Sequence, residues 1–180
     1  MSEHQIIQGC IEGDVRCQRM LFDQYAGKMM MVCLRYASDQ MEAEDILQNG
    51  FVKVFRHIGQ FKYQGSFEGW VRKVMVNTAL KYCQRKRIRF DELQPEMPHI
   101  PSVEPYVYSL LGEADLLHLI RRLPEGYRLV FNLHVIEGYS HEEIARMLEI
   151  KDSTSRSQLV KARRMLQQAI TSLHKTTIAV

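Results

Sequence analysis

The chain has 180 residues, 46% hydrophobic and 25% charged, which suits one or two ordinary globular domains and excludes a collagen, a mucin-like stalk or a disordered tail. No apolar run approaches the roughly 20 residues that span a bilayer. Glu3 and His4 stand where a secretory signal needs bases ahead of an apolar block, so a cytoplasmic protein without membrane insertion is expected. The net charge of +3 conceals a layout: residues 1–90 hold 14 Lys+Arg against 9 Asp+Glu, residues 91–120 hold 0 against 6, and residues 121–180 hold 10 against 6.

An all-α protein is predicted, in two small helical domains over 1–90 and 113–180. Leu21, Tyr25, Met29, Val32 and Tyr36 recur at helical spacing and predict one long amphipathic helix. Asp39 then caps a second, with Glu42 three residues on and a stripe of Leu47, Phe51, Val54, Phe55 and Ile58. Gly50 inside that helix weakens it slightly. After a loop over 59–65, Ser66 caps a third helix that turns Phe67, Val71, Val74, Thr78 and Tyr82 inward. The acidic stretch 91–112 holds four of the five prolines between 95 and 105 and reads as a linker.

Shorter helices follow. Leu116, Ile120 and Leu123 lead to Pro124, which suits the first turn of a helix carrying Tyr127, Val130, Phe131 and His134 and ending at Gly138. Ser140-His141-Glu142-Glu143 is a capping box, a break follows over 149–153, and Leu159, Ala162 and Leu166 face inward on a last helix. That pair of helices has the layout of a helix-turn-helix.

Two regions suit nucleic acid. The last helix turns Thr154, Ser157, Lys161 and Arg164 outward, with Arg156, Gln158 and Val160 on its flanks, so that short hydroxyls precede long bases as in a groove-reading helix. A solvated basic helix is the bland alternative. Before the linker, Phe61, Lys62, Tyr63, Trp70, Lys73, Asn77, Lys81 and Arg85 mix rings with bases, which suits unpaired nucleotides: rings stack on exposed bases while cations hold the backbone. Phe67 reads as core. The cluster Glu42-Ala43-Glu44-Asp45 with Gln48 favours a helix start and leaves a face free for a protein partner.

Chemistry of catalysis or metal binding is not indicated. Cys10, Cys17, Cys33 and Cys83 lack metal or disulfide spacing and suit reduced thiols, and the seven histidines are scattered. With no phosphate loop and no nucleophile motif, neither an enzyme nor a cofactor is expected.

These motifs resemble the bacterial extracytoplasmic-function sigma factors, over nearly the whole chain. The resemblance rests on Gly13-Asp14, Tyr25, the run Ala43 to Gln48, Phe51, Phe61, Phe67, Gly69-Trp70-Val71 and Asn77-Thr78-Ala79. In the second domain it rests on Leu123-Pro124-Glu125, Tyr127-Arg128, Val130-Phe131, Glu137 to Ser140, Glu142 to Ala145, Thr154, Ser157, Leu159, Lys161-Ala162-Arg163 and Leu166. It implies an initiation factor that binds core RNA polymerase, directs it to promoters and helps to melt the DNA, with no bond made or broken by the factor itself. By position, it implies polymerase contact through Glu44, Asp45, Ile46, Gln48 and Phe51. Capture of a single-stranded −10 element falls to Asn77 and the loop 61–66, within the ring-and-base region above. Reading of a duplex −35 element falls to Arg156, Ser157, Val160 and Lys161, with Thr154 and Arg164 beside them. An inhibitory anti-sigma partner is expected on the same ground.

The family pattern is not kept everywhere. Asn49-Gly50 replaces an acid and a small or hydroxyl residue, residues 149–153 stand where a Gly-Ile-Pro-x-Gly type of turn is common, and Ser155 takes a usually apolar inward position. Other classes compatible with the pattern are a helix-turn-helix regulator that binds duplex DNA without polymerase and, with less support, a helical hydrolase.

Overall fold

A computed structural model describes residues 1–91 and 112–178, with side chains over 1–86 and 115–172. The chain divides into two compact units, Met1–Ile88 and Arg89–Val180. All regular structure among the described residues is helical. The linker expected over 91–112 lies, but for its two ends, outside the described residues.

The first unit contains α1 (Glu3–Ile11), α2 (Val15–Tyr36), α3 (Gln40–His57), a 3₁₀ turn (Ile58–Gln60) and α4 (Phe67–Asp91). The expected three helices are present, and α1 is an addition. Ser2 and Gln5 form a capping box at its start, and Ile6, Ile7 and Cys10 are buried. Asp39 caps α3 by accepting from the Glu42 amide at 2.8 Å, while the Glu42 carboxylate accepts from the Ser38 amide at 2.9 Å. Ser66 caps α4 by accepting from the Gly69 amide at 3.1 Å.

The α2 stripe is buried as predicted. On α3, Phe55 is only half-buried. The inward face of α4 is wider than the predicted one: Val74 and Tyr82 are half-buried, whereas Met75, Val76, Ala79, Leu80 and Cys83 join Phe67, Val71 and Thr78 in the core. The cause is that α4 meets two helices. Its Phe67 ring stands edge-on to Tyr25 of α2 at 5.7 Å, and its Met75 lies over Gly50 of α3.

Gly50 is therefore a point of close approach, beyond the propensity cost it carries. A Cβ built there would come within 2.1 Å of the Met75 sulfur, and Met75 is itself fully buried. The four cysteines are buried, and burial foremost pushes the Cys33 thiol up to about 12 and the Cys10 thiol up to about 11.

The second unit contains α5 (Glu113–Arg121), α6 (Glu125–Phe131), a π-helical turn (Asn132–Ile136), α7 (His141–Leu148) and α8 (Asp152–Ile178). Leu119, Ile120, Leu123, Ala162 and Leu166 form a core cluster, with Tyr127 and Phe131 packed against it. Leu116, expected inside, is 45% exposed: α5 is short and turns Leu119 and Ile120 inward instead. Pro124 stands just before α6 as its cap, where its missing N–H costs nothing.

The helix predicted to run to Gly138 widens at residue 132. The Glu137 amide reaches back to the Asn132 carbonyl at 3.0 Å, and both Asn132 and Leu133 stay buried. Gly138 takes the expected left-handed conformation, φ 80°. Between α7 and α8 the break covers only 149–151, because Asp152 and Ser153 already belong to the helix. Glu149 closes α7 with φ 55°, a conformation that costs a side-chain-bearing residue about 1 kcal/mol or more.

Gly50→Ala is expected to lower the stability of the full chain by about 1–3 kcal/mol, overpacking outweighing the gain in helix propensity. Adding Met75→Ala should relieve the clash, so the double variant loses less than the two single losses combined. Denaturant melts of the three variants check this, and simple additivity would contradict the close contact.

Candidate nucleic-acid interface

The loop 61–66 is held by a chain of rings. Phe67, the buried anchor at the start of α4, stacks on Trp70 at 5.6 Å and meets Phe61 edge-on at 5.1 Å. Phe61 in turn lies 5.9 Å from Trp70 and 4.8 Å from Tyr63. Tyr63 is 49% exposed and sits in the left-handed region at φ 57°, and Gly65 at φ 105° completes the turn. An open hollow of about 450 Å³ results, bounded by Phe61, Lys62, Ser66, Trp70 and Lys73.

Beyond the hollow, exposed Lys73, Asn77 and Lys81 recur every four residues along one side of α4, and exposed Arg85 follows. The residues predicted here are thus all accessible on one connected region, with Phe61 and Trp70 half-buried as rings that pack on one side and face outward on the other. Gln60, Gln64 and Gly69 also line the hollow without any pattern that singles them out.

Lys53 of α3 is a further cation. Its ammonium donates to the buried Thr78 hydroxyl at 3.0 Å, and Thr78 donates to the Val74 carbonyl at 2.8 Å. Burial first, then the cations of Lys81 and Arg85, hold Lys53 below the ordinary lysine value. Lys86, by contrast, is turned into the fold. It pairs with Glu42 and donates to the Ser38 hydroxyl at 3.1 Å. Burial opposes ionisation of Glu42, but the bonds from Lys86 and the Ser38 amide outweigh it and leave the carboxyl below its usual range.

On the other side of α3, Glu44, Asp45 and Gln48 are exposed. Ile46 and Phe51 are not: they are 0% and 3% exposed, because they form the inward stripe of the same helix. Of the five residues expected to touch polymerase, these two thus lie beneath the outer three rather than beside them. Met41 and Val52, 74% and 55% exposed, lie on the same face as Asp45 and Gln48 and make it part apolar. Asn49 bonds back to the Asp45 carbonyl at 2.8 Å, which occupies this unusual residue within its own helix.

In the second unit, Arg156, Ser157, Val160, Lys161 and Arg164 are exposed on α8, while Thr154 is half-buried. Asp152 orients Arg156 through a 2.7 Å ion pair, and the Lys161 ammonium lies 5.9 Å from the Tyr127 ring centre. Ser155, fully buried, shares a 2.9 Å hydrogen bond with Nδ1 of His141 at the start of α7. His141 stacks on His134 at 4.3 Å, and Nδ1 of His134 meets the Tyr139 carbonyl at 2.9 Å. One polar column thus ties the π turn, α7 and α8 together.

Residues 21–88 match the family description Sigma-70 region 2, and residues 113–166 match Sigma-70, region 4. The chain belongs to the sigma-70 family. As a sigma factor of the extracytoplasmic-function group, it is a promoter-directing transcription initiation factor. The RNA polymerase sigma-H factor of Pseudomonas aeruginosa is 27% identical to it over 183 residues, 95% of each chain. The ECF RNA polymerase sigma factor SigE of Mycolicibacterium smegmatis is 34% identical over 153 residues, 82% of this sigma factor and 59% of that one. A solved structure of the sigma factor RpoE with the anti-sigma factor NepR from Bartonella quintana aligns with a TM-score of 0.54 at 19% identity, over 85% of this chain and 96% of that one, a likeness of fold. Among the described residues of this sigma factor, no three metal-ligating side chains gather and no helix is long and apolar enough to cross a membrane.

Burial, then neighbouring His134 and Arg156 and, more weakly, Arg163, hold His141 below its ordinary value of 6.5, with Asp152 acting the other way. The unfolded chain therefore takes up this proton first as pH falls, so the stabilisation is complete above pH 6.5 and is lost below it. Thermal melts of the full chain from about pH 7.5 to 5.5 should show a shallower decline for His141→Gln than for the parent. Identical slopes would contradict the link.

Proposed function

We propose that the chain divides promoter recognition between its two units and borrows affinity from core RNA polymerase. The observation that carries this reading is the contrast between neighbouring helices of the first unit: α3 offers Asp45 and Gln48 beside exposed Met41 and Val52, whereas α4 offers rings, an open hollow and Lys73, Asn77 and Lys81. A mixed acidic and apolar face suits a basic or helical protein surface. Rings with flanking cations suit a melted strand, because flipping a base costs a few kcal/mol that stacking in a shaped hollow offsets.

In this reading Glu44, Asp45 and Gln48 dock on polymerase, supported from beneath by Ile46 and Phe51. Asn77 and the loop 61–66 capture an unpaired base of the −10 element, and Lys53, Lys73, Lys81 and Arg85 neutralise its backbone. Arg156, Ser157, Val160 and Lys161, with Thr154 and Arg164, read the −35 duplex. The domain limits are taken at 1–90, 91–112 and 113–180, a reading supported by family matches that fall at 21–88 and 113–166. The factor itself catalyses no reaction and works in the cytoplasm. The complex of RpoE with an anti-sigma factor supports a similar inhibitor here, covering the polymerase-binding face.

Titration of labelled full-length protein with bacterial core RNA polymerase tests this division. Asp45→Arg should weaken polymerase binding by about tenfold or more and leave Lys161-dependent promoter contact in the assembled enzyme intact. Lys161→Ala should do the reverse. Equal losses for both variants in both assays would refute the division, and failure of well-folded parent protein to bind polymerase would favour an ordinary helix-turn-helix regulator.

A further inference from the structure

The ring series around the hollow does not end at Tyr63. His4, in the first turn of α1, brings its imidazole to 5.1 Å from the Tyr63 ring at an interplanar angle of 43°, so Trp70, Phe61, Tyr63 and His4 form one row. His4 and Tyr63 are both exposed. Neither ring sits at that edge by loose drift of the terminus. Ser2 and Gln5 fix the start of α1 with a capping box, and Glu3, beside His4, accepts a 2.5 Å hydrogen bond from the Tyr25 hydroxyl. Tyr25 also meets Phe67, the ring on which Trp70 stacks, so the helix bearing His4 is tied to the ring series through Glu3 as well as through His4 itself.

We propose that His4 is a nucleotide-contacting residue, its ring extending the row by one place to receive an unpaired base next to the one captured in the hollow. This rests on the reading of loop 61–66 as a single-strand site. The occupant is a nucleobase rather than an apolar peptide because cations border the row: Lys62 lies between Phe61 and Tyr63 in the loop and Lys73 lines the hollow, and both are exposed. Stacking is tolerant of base identity, so the contact adds affinity for the open strand and little sequence preference. A tilted contact at an exposed rim belongs at the weaker end of base stacking, about fivefold in affinity.

The test uses the complete factor assembled with core polymerase and a pre-melted promoter carrying one abasic site at a time through the −10 region. Parent protein should show a penalty at the captured base and a second penalty, about fivefold, at a neighbouring position. His4→Ala should remove the second penalty alone, and His4→Phe, which keeps a ring, should restore it. Phe61→Ala reports on the underlying site. If abasic sites and Phe61→Ala have no effect anywhere, the single-strand reading of the loop fails. If the captured base responds to Phe61→Ala while His4→Ala changes no position, or weakens every template equally, the proposal for His4 is overturned and the residue only props the loop.

Discussion

The contact of α3 with α4 is the constraint on which the first unit depends. At Gly50 the two helices come close enough that the Met75 side chain fills the space a Cβ would need, and the pair is closed further along by Lys53 on Thr78 and by Lys86 on Glu42. Three side-chain contacts along the pair oppose sliding or rotation of one helix against the other, because close-packed interiors resist displacement. The acidic and apolar face of α3 and the cationic, ring-bearing face of α4 are therefore held in fixed relation. Under the proposed division of the two faces, that rigidity leaves little ordering entropy to lose on binding.

The second unit achieves its rigidity with polar groups. Ser155 occupies an inward position where an aliphatic side chain would be unremarkable, and its hydroxyl is met by His141, which stacks on His134. The π turn at 132–136 directs the His134 segment toward that column while keeping Leu133 in the core. A left-handed Glu149 then lets α8 begin three residues after it, without the glycine that such a bend favours. The outward side chains of α8 are positioned by this arrangement, and their own contacts, such as Asp152 with Arg156, act on single residues.

Local chemistry made much of this legible in advance. Asp39, Ser66 and Ser140 each precede an apolar run and each caps as the sequence implies, because capping is decided within four residues. The accessibility of Lys73, Asn77, Lys81, Ser157 and Lys161 followed from periodicity alone. Features set by residues distant in sequence were not legible. Gly50 carries a propensity cost in any helix, but only the fold brings Met75 over it. Ile46 and Phe51 share a motif with Asp45 and Gln48, and a motif does not distinguish an exposed side chain from the buried one beneath it. Capping residues Ser2 and Gln5 announce α1, yet adjacent Ile6 and Ile7 blur its period, and nothing in either segment links His4 to Tyr63. The widening at Asn132 has no local signal to read.

Under the proposed division, specific promoter binding is a property of the chain together with polymerase. The most direct measurement is the binding of a labelled promoter duplex and a scrambled duplex to the free chain and to the chain with core polymerase, at matched salt. Free protein should bind both duplexes weakly and nearly alike, and polymerase should raise preference for the promoter by about two orders of magnitude or more through simultaneous engagement of two sites. Tight, promoter-selective binding by the free chain, unchanged by polymerase, would contradict the account.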